Sequence, residues 1–309
     1  LKYYQLVLNF KKIEKLMQAE GAVVVGVTAA SPLPEVEKVI CERDVGGRFA
    51  GMKWLGSTAH KRADPADHLP GAKSIICTAW PYSGKKQDEH FARYALHADY
   101  HKFILEKLKS VWREAGHKEE NARFFVDSKP IAEKAYAARA KLGWIGKNGL
   151  LINSEIGSFF CLGLIITDSE FILSLSKDEQ KAGSCGDCRR CIDACPTGAI
   201  VSEGEIDCNR CISYLTTEHK GDIPHEIRQK MGGLVFGCDI CQEACPYNDG
   251  VKSASSMPVK NIGEMSLSQW AAISEEEFCT IFDGTPIVRL GIKRFIRNVT
   301  IAIDNDNDI

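Results

Sequence analysis

Two runs late in the chain, CGDCRRCIDACP (Cys185 to Pro196) and CDICQEACP (Cys238 to Pro246), hold the side chains best spaced to do chemistry. The first reads C-x2-C-x2-C-x3-C-P. This is the comb by which two-cluster ferredoxins bind cubanes, three thiolates holding one 4Fe–4S cluster while the fourth crosses to the other. The second supplies C-x2-C-x3-C-P, one thiol short, and Cys211 or Cys208 lies upstream to complete it. The crossing rule assigns Cys185, Cys188, Cys191 and Cys245 to cluster one. Cluster two takes Cys195, Cys238, Cys241 and either Cys211 or Cys208, which spacing alone does not separate. Tetrahedral zinc closes at four ligands and requires no such comb. Thirteen cysteines in 309 residues are too sparse for a disulfide-stapled secreted scaffold. Cys41, Cys77, Cys161 and Cys279 lack close-spaced partners and read as free buried thiols. The chemistry written here is electron transfer.

Something must position these thiols. A chain of this length accommodates about two domains. Its hydrophobic fraction of 44% suffices for a core, and a net charge of −2 gives no global field for nucleic acid. No apolar run approaches a membrane span, and the start, LKYYQLVLNFKKIEKLM, reads as an amphipathic surface helix rather than a signal peptide. Oxygen-sensitive clusters without an export signal point to the cytoplasm. The chain lacks an initiator Met and ends in IDNDNDI, so either end is open to truncation.

Strands are expected at Gly21 to Ala30, Ala72 to Tyr82 and Ala122 to Asp127, with a helix inside Phe91 to Ala115 that Gly116 stops. SKPIAEKAYAARAKLG reads as a helix with Ser128 as a cap and Pro130 in its first turn. GLLINS and SFFCLGLIITD, parted by EIG, read as a hairpin. The polar passage SEFILSLSKDEQKAGS then marks a boundary. The expected architecture is α+β: residues 1–175 as an α/β-type domain with a mixed sheet, 176–255 as a two-cluster ferredoxin-like domain, and 256–309 as a C-terminal helical segment.

Beyond the thiols, the chain resembles the epoxyqueuosine reductases, cobalamin- and iron–sulfur-dependent enzymes of tRNA modification. The resemblance is carried by KRADPADHLPGAKSII (Lys61 to Ile76), RYALHADYH (Arg93 to His101) and VDSKPIAEKAYAARAKLGWIGKNGLLI (Val126 to Ile152). The cysteine module, RCISYLTTEHKGDIP (Arg210 to Pro224) and FDGTPIVRLGIKRFIRN (Phe282 to Asn298) carry it further. It departs at His97, where the family has glycine, and the chain stops before the helical-repeat region of many members.

The resemblance implies reduction of the epoxide on a modified guanine at the tRNA wobble position to the cyclopentene of queuosine. It implies cobalamin in the first domain, an external electron donor of flavodoxin or ferredoxin type, no membrane and a monomer. It favours Cys211 as the eighth thiolate and Asp127 as proton donor, although a carboxylate there also reads as a helix cap. Lys147 and Asn148 in IGKN match positions near the corrin, or form a polar turn. Arg62 and Asp64 match cofactor positions, or pair on the surface. A basic face of Arg289, Lys293, Arg294 and Arg297, at i, i+4, i+5 and i+8, would meet RNA phosphates or simply be a solvated helix face. The cobalt-ligating D-x-H-x-x-G motif is absent, so His97, His101 and His117 read as ordinary side chains. The alternatives are a corrinoid-dependent reductive dehalogenase and a ferredoxin-like electron carrier without chemistry of its own.

Overall fold

The computed structural model describes residues 2–82, 88–171, 183–251 and 255–307, with side chains from Asn9 to Asp306 within those spans. The proposed boundary around residue 175 lies outside the described residues. The first part contains helices α1 (Lys2–Ala19), α2 (Pro34–Val45), α3 (Trp54–Ser57), α4 (Ala59–Ala63), α5 (Tyr100–Glu114) and α6 (Glu133–Arg139). Its strands are β1 (Val24–Ala29), β2 (Ser74–Pro81), β3 (Ala122–Phe125), β4 (Trp144–Ile145), β5 (Leu151–Ile152) and β6 (Phe160–Thr167).

Four of these strands form a sheet in the order β1-β2-β6-β3, every neighbouring pair antiparallel. The α+β class holds, but the sheet is not mixed. Alternation of strand and helix along the chain suggests parallel neighbours. Here β6 inserts between β2 and β3, so the crossover through α5 joins strands that never touch.

All eight residues of β2 are buried, as a strand covered on both faces requires. Side-chain alternation sends Ile76 and Trp80 against α1 and α5, with Phe10, Ile13, Ile104, Leu108 and Trp112. Ile75, Cys77 and Ala79 point the other way, against Tyr136, Ala137 and Ala140. Strand β1 lies so close to this second face that a Cβ on Gly26 would come within 2.2 Å of the Ala140 carbonyl oxygen.

Three local expectations need correction. The helix within Phe91 to Ala115 is split: a 3-10 turn covers Arg93–Leu96, and α5 starts only after Asp99, whose carboxylate accepts the His101 N–H. Ser128 caps nothing, because residues 126–130 are bent and α6 begins at Glu133. The two apolar stretches meet at one antiparallel bridge, Asn153–Gly157, and pair no further. β5 pairs with β4 across the Lys147–Gly149 turn, while β6 is taken up along its length by β2 and β3.

The second part carries α7 (Arg190–Asp193), β7 (Ile200–Ser202), β8 (Glu205–Ile206), α8 (Ile212–Thr217), α9 (His225–Arg228) and α10 (Ile240–Glu243). The N-terminal part grips it from the segment after α2. Arg43 donates to the Gly204 carbonyl, Arg48 pairs with Glu205 and Asp207, and the Gly51 N–H donates to the Tyr214 hydroxyl. The C-terminal helices α11 (Leu267–Ala271), α12 (Glu275–Ile281) and α13 (Ile292–Asn307) bury Trp270, Phe278 and Phe295 against Phe91, Leu96, Val235 and Phe236. Ser266 and Ser274 start α11 and α12 with capping boxes. Among the described residues no helix is long and apolar enough to cross a membrane.

Candidate active site and thiolate centres

Helices α7 and α10 repeat one device: a cysteine-bearing single turn followed by Cys-Pro, and the two turns pack together. Their geometry brings two groups of thiols together. Cys185, Cys188, Cys191 and Cys245 line one pocket with Lys147, Asn148, Ile152 and Tyr247. Cys195, Cys211, Cys238 and Cys241 form the second group. Burial pushes Cys241 up, and the charges of Cys238, Cys211, Cys191 and Cys195 add to it. Burial likewise pushes Cys238 up to about 12, with Cys211 and Cys195 contributing. Cys195 is held down despite its burial, because the Thr197 hydroxyl and the Ala199 N–H reach its sulfur.

Cys208 lies beside Cys211. Burial raises it to about 11, then Cys211 and Asp207 add, while Lys134 and Arg43 oppose. Among the described residues no group of three or more His, Cys, Asp or Glu side chains is placed to hold a single metal ion. The four thiolates of a cubane each take a different iron and need not converge on one point. Of the four scattered cysteines only Cys77 is buried; Cys41 and Cys279 are exposed on short surface helices, and Cys161 is half-buried.

Asp127 follows the end of β3 and sits beyond the sheet with a 66% exposed side chain. Its φ of 51° places it in the left-handed region. The Tyr100 hydroxyl donates to Asp127 Oδ2 at 2.7 Å, and the Asp127 N–H donates to Glu133 Oε1 at 2.7 Å. His101 Nε2 lies 3.9 Å from the same Oδ2. The His101 ring is fixed by Asp99 at 2.7 Å on Nδ1 and by Arg289 at 3.1 Å on Nε2. Burial pushes the Tyr100 phenol well above its ordinary range and the Asp127 charge adds to this, so Tyr100 stays a hydrogen-bond donor.

Behind Asp127 lies a hollow, seen in the side chains that line it. Glu133 and Lys134 keep accessible surface, yet protein surrounds them closely enough to shift both groups. Burial lifts the Glu133 carboxyl to about 8, helped by Asp127, and lowers the Lys134 ammonium. Cys161 on β6 is raised by burial and by the charges of Asp127 and Glu133. Lys134 donates to the Gly149 carbonyl at 2.6 Å and feels both Asp127 and Cys208. Tyr94 feels both Asp127 and Asp239, the neighbour of Cys238. Tyr94 and Lys134 thus have charged neighbours both at Asp127 and beside the cysteines of the second part.

The other expected residues divide. Arg62 lies beside Asp127 and Glu133, donates to Thr58 and offers its carbonyl to the Ala132 N–H. Asp64 caps the 3-10 turn Pro65–Asp67 through the Ala66 N–H. Lys147 pairs with Glu203 at 2.7 Å beside the first thiolate group, and Asn148, 5% exposed, donates to the Cys241 carbonyl between the two groups.

The basic face is not one helix. Arg289 lies on a 3-10 turn that Gly291 ends at a φ of 75°, and α13 starts after it. Arg294 and Arg297 are engaged by backbone carbonyls at the end of α8, from Leu215 to Gly221. Arg289 and Lys293 keep exposed side chains. His97 is buried against the Tyr82 ring and His117 stacks on Trp112, as ordinary side chains do. His101 is read from the sequence as an ordinary side chain, and Tyr100 and Glu133 are not singled out there, although Tyr100 and His101 stand in the DYH of RYALHADYH.

The chain is similar to known proteins over most of its length. Residues 184–248 match the family model described as a 4Fe-4S double cluster binding domain, and residues 62–128 the one described as Epoxyqueuosine reductase QueG, DUF1730. The chain is 36% identical over 276 residues to the epoxyqueuosine reductase of Pseudomonas aeruginosa, covering 84% of this chain and 75% of that one. It is 38% identical over 269 residues to that of Escherichia coli K12, covering 82% and 70%. Against that of Leadbetterella byssophila the identity is 36% over 304 residues, covering 94% and 97%. A crystal structure of an epoxyqueuosine reductase with an epoxyqueuosine-modified tRNA-Tyr stem loop superimposes with a TM-score of 0.89 at 30% identity, covering 99% of this chain and 83% of that one. The Bacillus subtilis enzyme, described with its aspartate catalytic loop swung out of the active site, gives 0.85 at 30% identity over the same shares.

Proposed function

This chain belongs to the epoxyqueuosine reductase family, and from that premise we propose that it reduces the epoxide of epoxyqueuosine in tRNA to the cyclopentene of queuosine at the hollow beside Asp127. The reading adds a cobalamin in that hollow, a flavodoxin- or ferredoxin-type electron donor, a monomeric state and a cytoplasmic setting. The observation that carries it is the Asp127 carboxyl, held by Tyr100 at 2.7 Å, with Tyr94 as a shared neighbour of Asp127 and of Asp239, the residue after Cys238.

The reaction takes up two electrons and two protons, breaks both epoxide C–O bonds, forms a C=C bond and releases the oxygen as water. Electrons enter through the iron–sulfur clusters, Cys185, Cys188, Cys191 and Cys245 holding one and the second group the other. The hollow suits a large flat macrocycle, with an aromatic wall at Tyr94 and Tyr100, the Cys161 thiol, and Arg62 and Lys134 as donors for a fringe of amides. What cobalamin supplies when bound is a low-valent, strongly nucleophilic cobalt able to pass electrons to a strained ring. Lys147 and Asn148 hold the turn that separates this hollow from the first cluster.

The protein's own part is proton delivery. Asp127 gives one proton to the epoxide oxygen and solvent the second, so that the oxygen leaves as water, and the Tyr100 hydroxyl then stabilises the carboxylate left behind. His101, with Asp99 and Arg289 fixing its ring, keeps Tyr100 and Asp127 aligned from the other side. Arg289 and Lys293, exposed at this rim, meet the phosphates that bring the modified base to the hollow. The test is incubation of reconstituted protein with cobalamin, a reductant and epoxyqueuosine-containing tRNA, followed by nucleoside mass analysis. A loss of one oxygen supports the reading; unchanged mass with wild type, or full activity in Asp127→Asn, overturns it.

A further inference from the structure

Asp127 adopts a backbone conformation, φ 51°, that a non-glycine residue rarely holds unless its surroundings impose it. Glu133 is the side chain that reaches its main chain, accepting the Asp127 N–H on Oε1 at 2.7 Å. A glutamate in a first helical turn normally faces water or closes a capping box. Glu133 does neither. The α6 N-cap is Ala132, with no side-chain cap bond, and the Glu133 carboxyl turns back across the bend of residues 126–130. It lies half-buried beside a second carboxyl, Asp127, with Arg62 and Lys134 as the neighbouring cations. Placing two carboxyls together in a confined space is unfavourable. In exchange, one amide gains a fixed acceptor.

We propose that Glu133 is a latch that holds the Asp127 loop in its working position, a positioning residue that acts through Asp127 and touches neither substrate nor cofactor. The functional half of this inference rests on Asp127 being the proton donor. The Asp127 main chain is tied by Glu133 to α6, and its carboxyl is tied by Tyr100 to the first turn of α5. The loop is thus fixed at both ends of one residue. Releasing the amide frees φ to relax, and the carboxyl then leaves the Tyr100 hydroxyl. The latch requires an sp2 oxygen at the reach of a glutamate side chain, and it does not require a charge.

Amide hydrogen exchange on the anaerobically purified holoprotein tests the latch directly. In Glu133→Ala the peptide spanning 126–132 exchanges about tenfold faster, the loss of roughly one hydrogen bond, while peptides from β2 and β6 are unchanged. Glu133→Gln keeps the acceptor and should stay within about threefold of wild type on the same scale. Glu133→Asp keeps the carboxyl but loses the reach, and should behave as Ala does. It also serves if the Ala variant fails to fold. With modified tRNA, kcat falls in the Ala and Asp variants and recovers in Gln, with KM unmoved. Wild-type exchange in both short variants, or Gln exchanging as fast as Ala, overturns the latch. Faster exchange of 126–132 with full turnover upholds the latch and instead removes Asp127 from catalysis.

Discussion

Tyr100 and Asp127 lie 27 positions apart on different elements, yet the phenol of one donates to Oδ2 of the other at 2.7 Å. Tyr100 opens α5, where the Asp99 cap fixes the first turn, so the hydroxyl is delivered by a rigid element. Its partner stands on a bend. In Tyr100→Phe the ring and its packing against Tyr94 remain, but the carboxylate formed when Asp127 gives up its proton loses a donor. A hydrogen bond to a charged group contributes about 1.5–3 kcal/mol, so single-turnover reduction should slow about tenfold or more. Cluster absorbance should not change. A rate equal to wild type would separate Tyr100 from the chemistry.

The two candidates for the eighth thiolate can be told apart by iron content. Cys211 is among the charges that bear on both Cys238 and Cys241, whereas Cys208 has Cys211 and Asp207 beside it with Lys134 and Arg43 opposing. Anaerobically reconstituted Cys208→Ser should keep roughly eight irons per chain and Cys211→Ser should fall toward four. The reverse pattern would reassign the ligand.

Which parts were legible beforehand follows from how local their causes are. The cysteine combs were readable because a cubane fixes spacing within a dozen residues, and two α-turns before two prolines satisfy it. Strand positions were readable for the same reason. The sheet order was not, because the placement of β6 between β2 and β3 depends on contacts far apart in sequence. At Asp127 the competing cap reading fails for a tertiary cause: Glu133 draws the amide away and α6 starts late. His101 looked ordinary because the partners that place it, Asp127 and Arg289, lie 26 and 188 residues away. Arg294 and Arg297 kept the periodicity of a solvated face while their guanidiniums turned inward to carbonyls.

That inward turn separates two kinds of arginine. Arg297 donates to the carbonyls of Leu215, His219 and Gly221 at 2.7–2.9 Å and ties α13 to the end of α8. Arg297→Met leaves those carbonyls short of a donor and should cost about 2–4 kcal/mol, seen as a thermal midpoint several degrees lower. The double variant Arg289→Ala, Lys293→Ala should leave the midpoint alone. It should instead weaken tRNA binding and reduce the slope of log affinity against log salt by roughly one to two. Equal salt slopes in wild type and the double variant would remove this rim from the RNA interface.

The Glu133 carboxyl sets a dependence of stability on pH. Burial, then the Asp127 charge, lift it from its ordinary 4.5 to about 8. Across that interval the folded chain keeps a proton that the unfolded chain has already released. Stability from this group is therefore full below pH 4.5, falls as pH rises toward 8, and stays at its lowest above. Glu133→Gln carries no ionisable group there and keeps the oxygen that accepts the Asp127 N–H. Urea midpoints of the anaerobic holoprotein should separate in the variant's favour from about pH 4.5 to about pH 8 and then run parallel, by a total of a few kcal/mol. Midpoints that keep a constant gap through that range would mean the carboxyl ionises as it does in water, and that the hollow behind Asp127 is not closed around it.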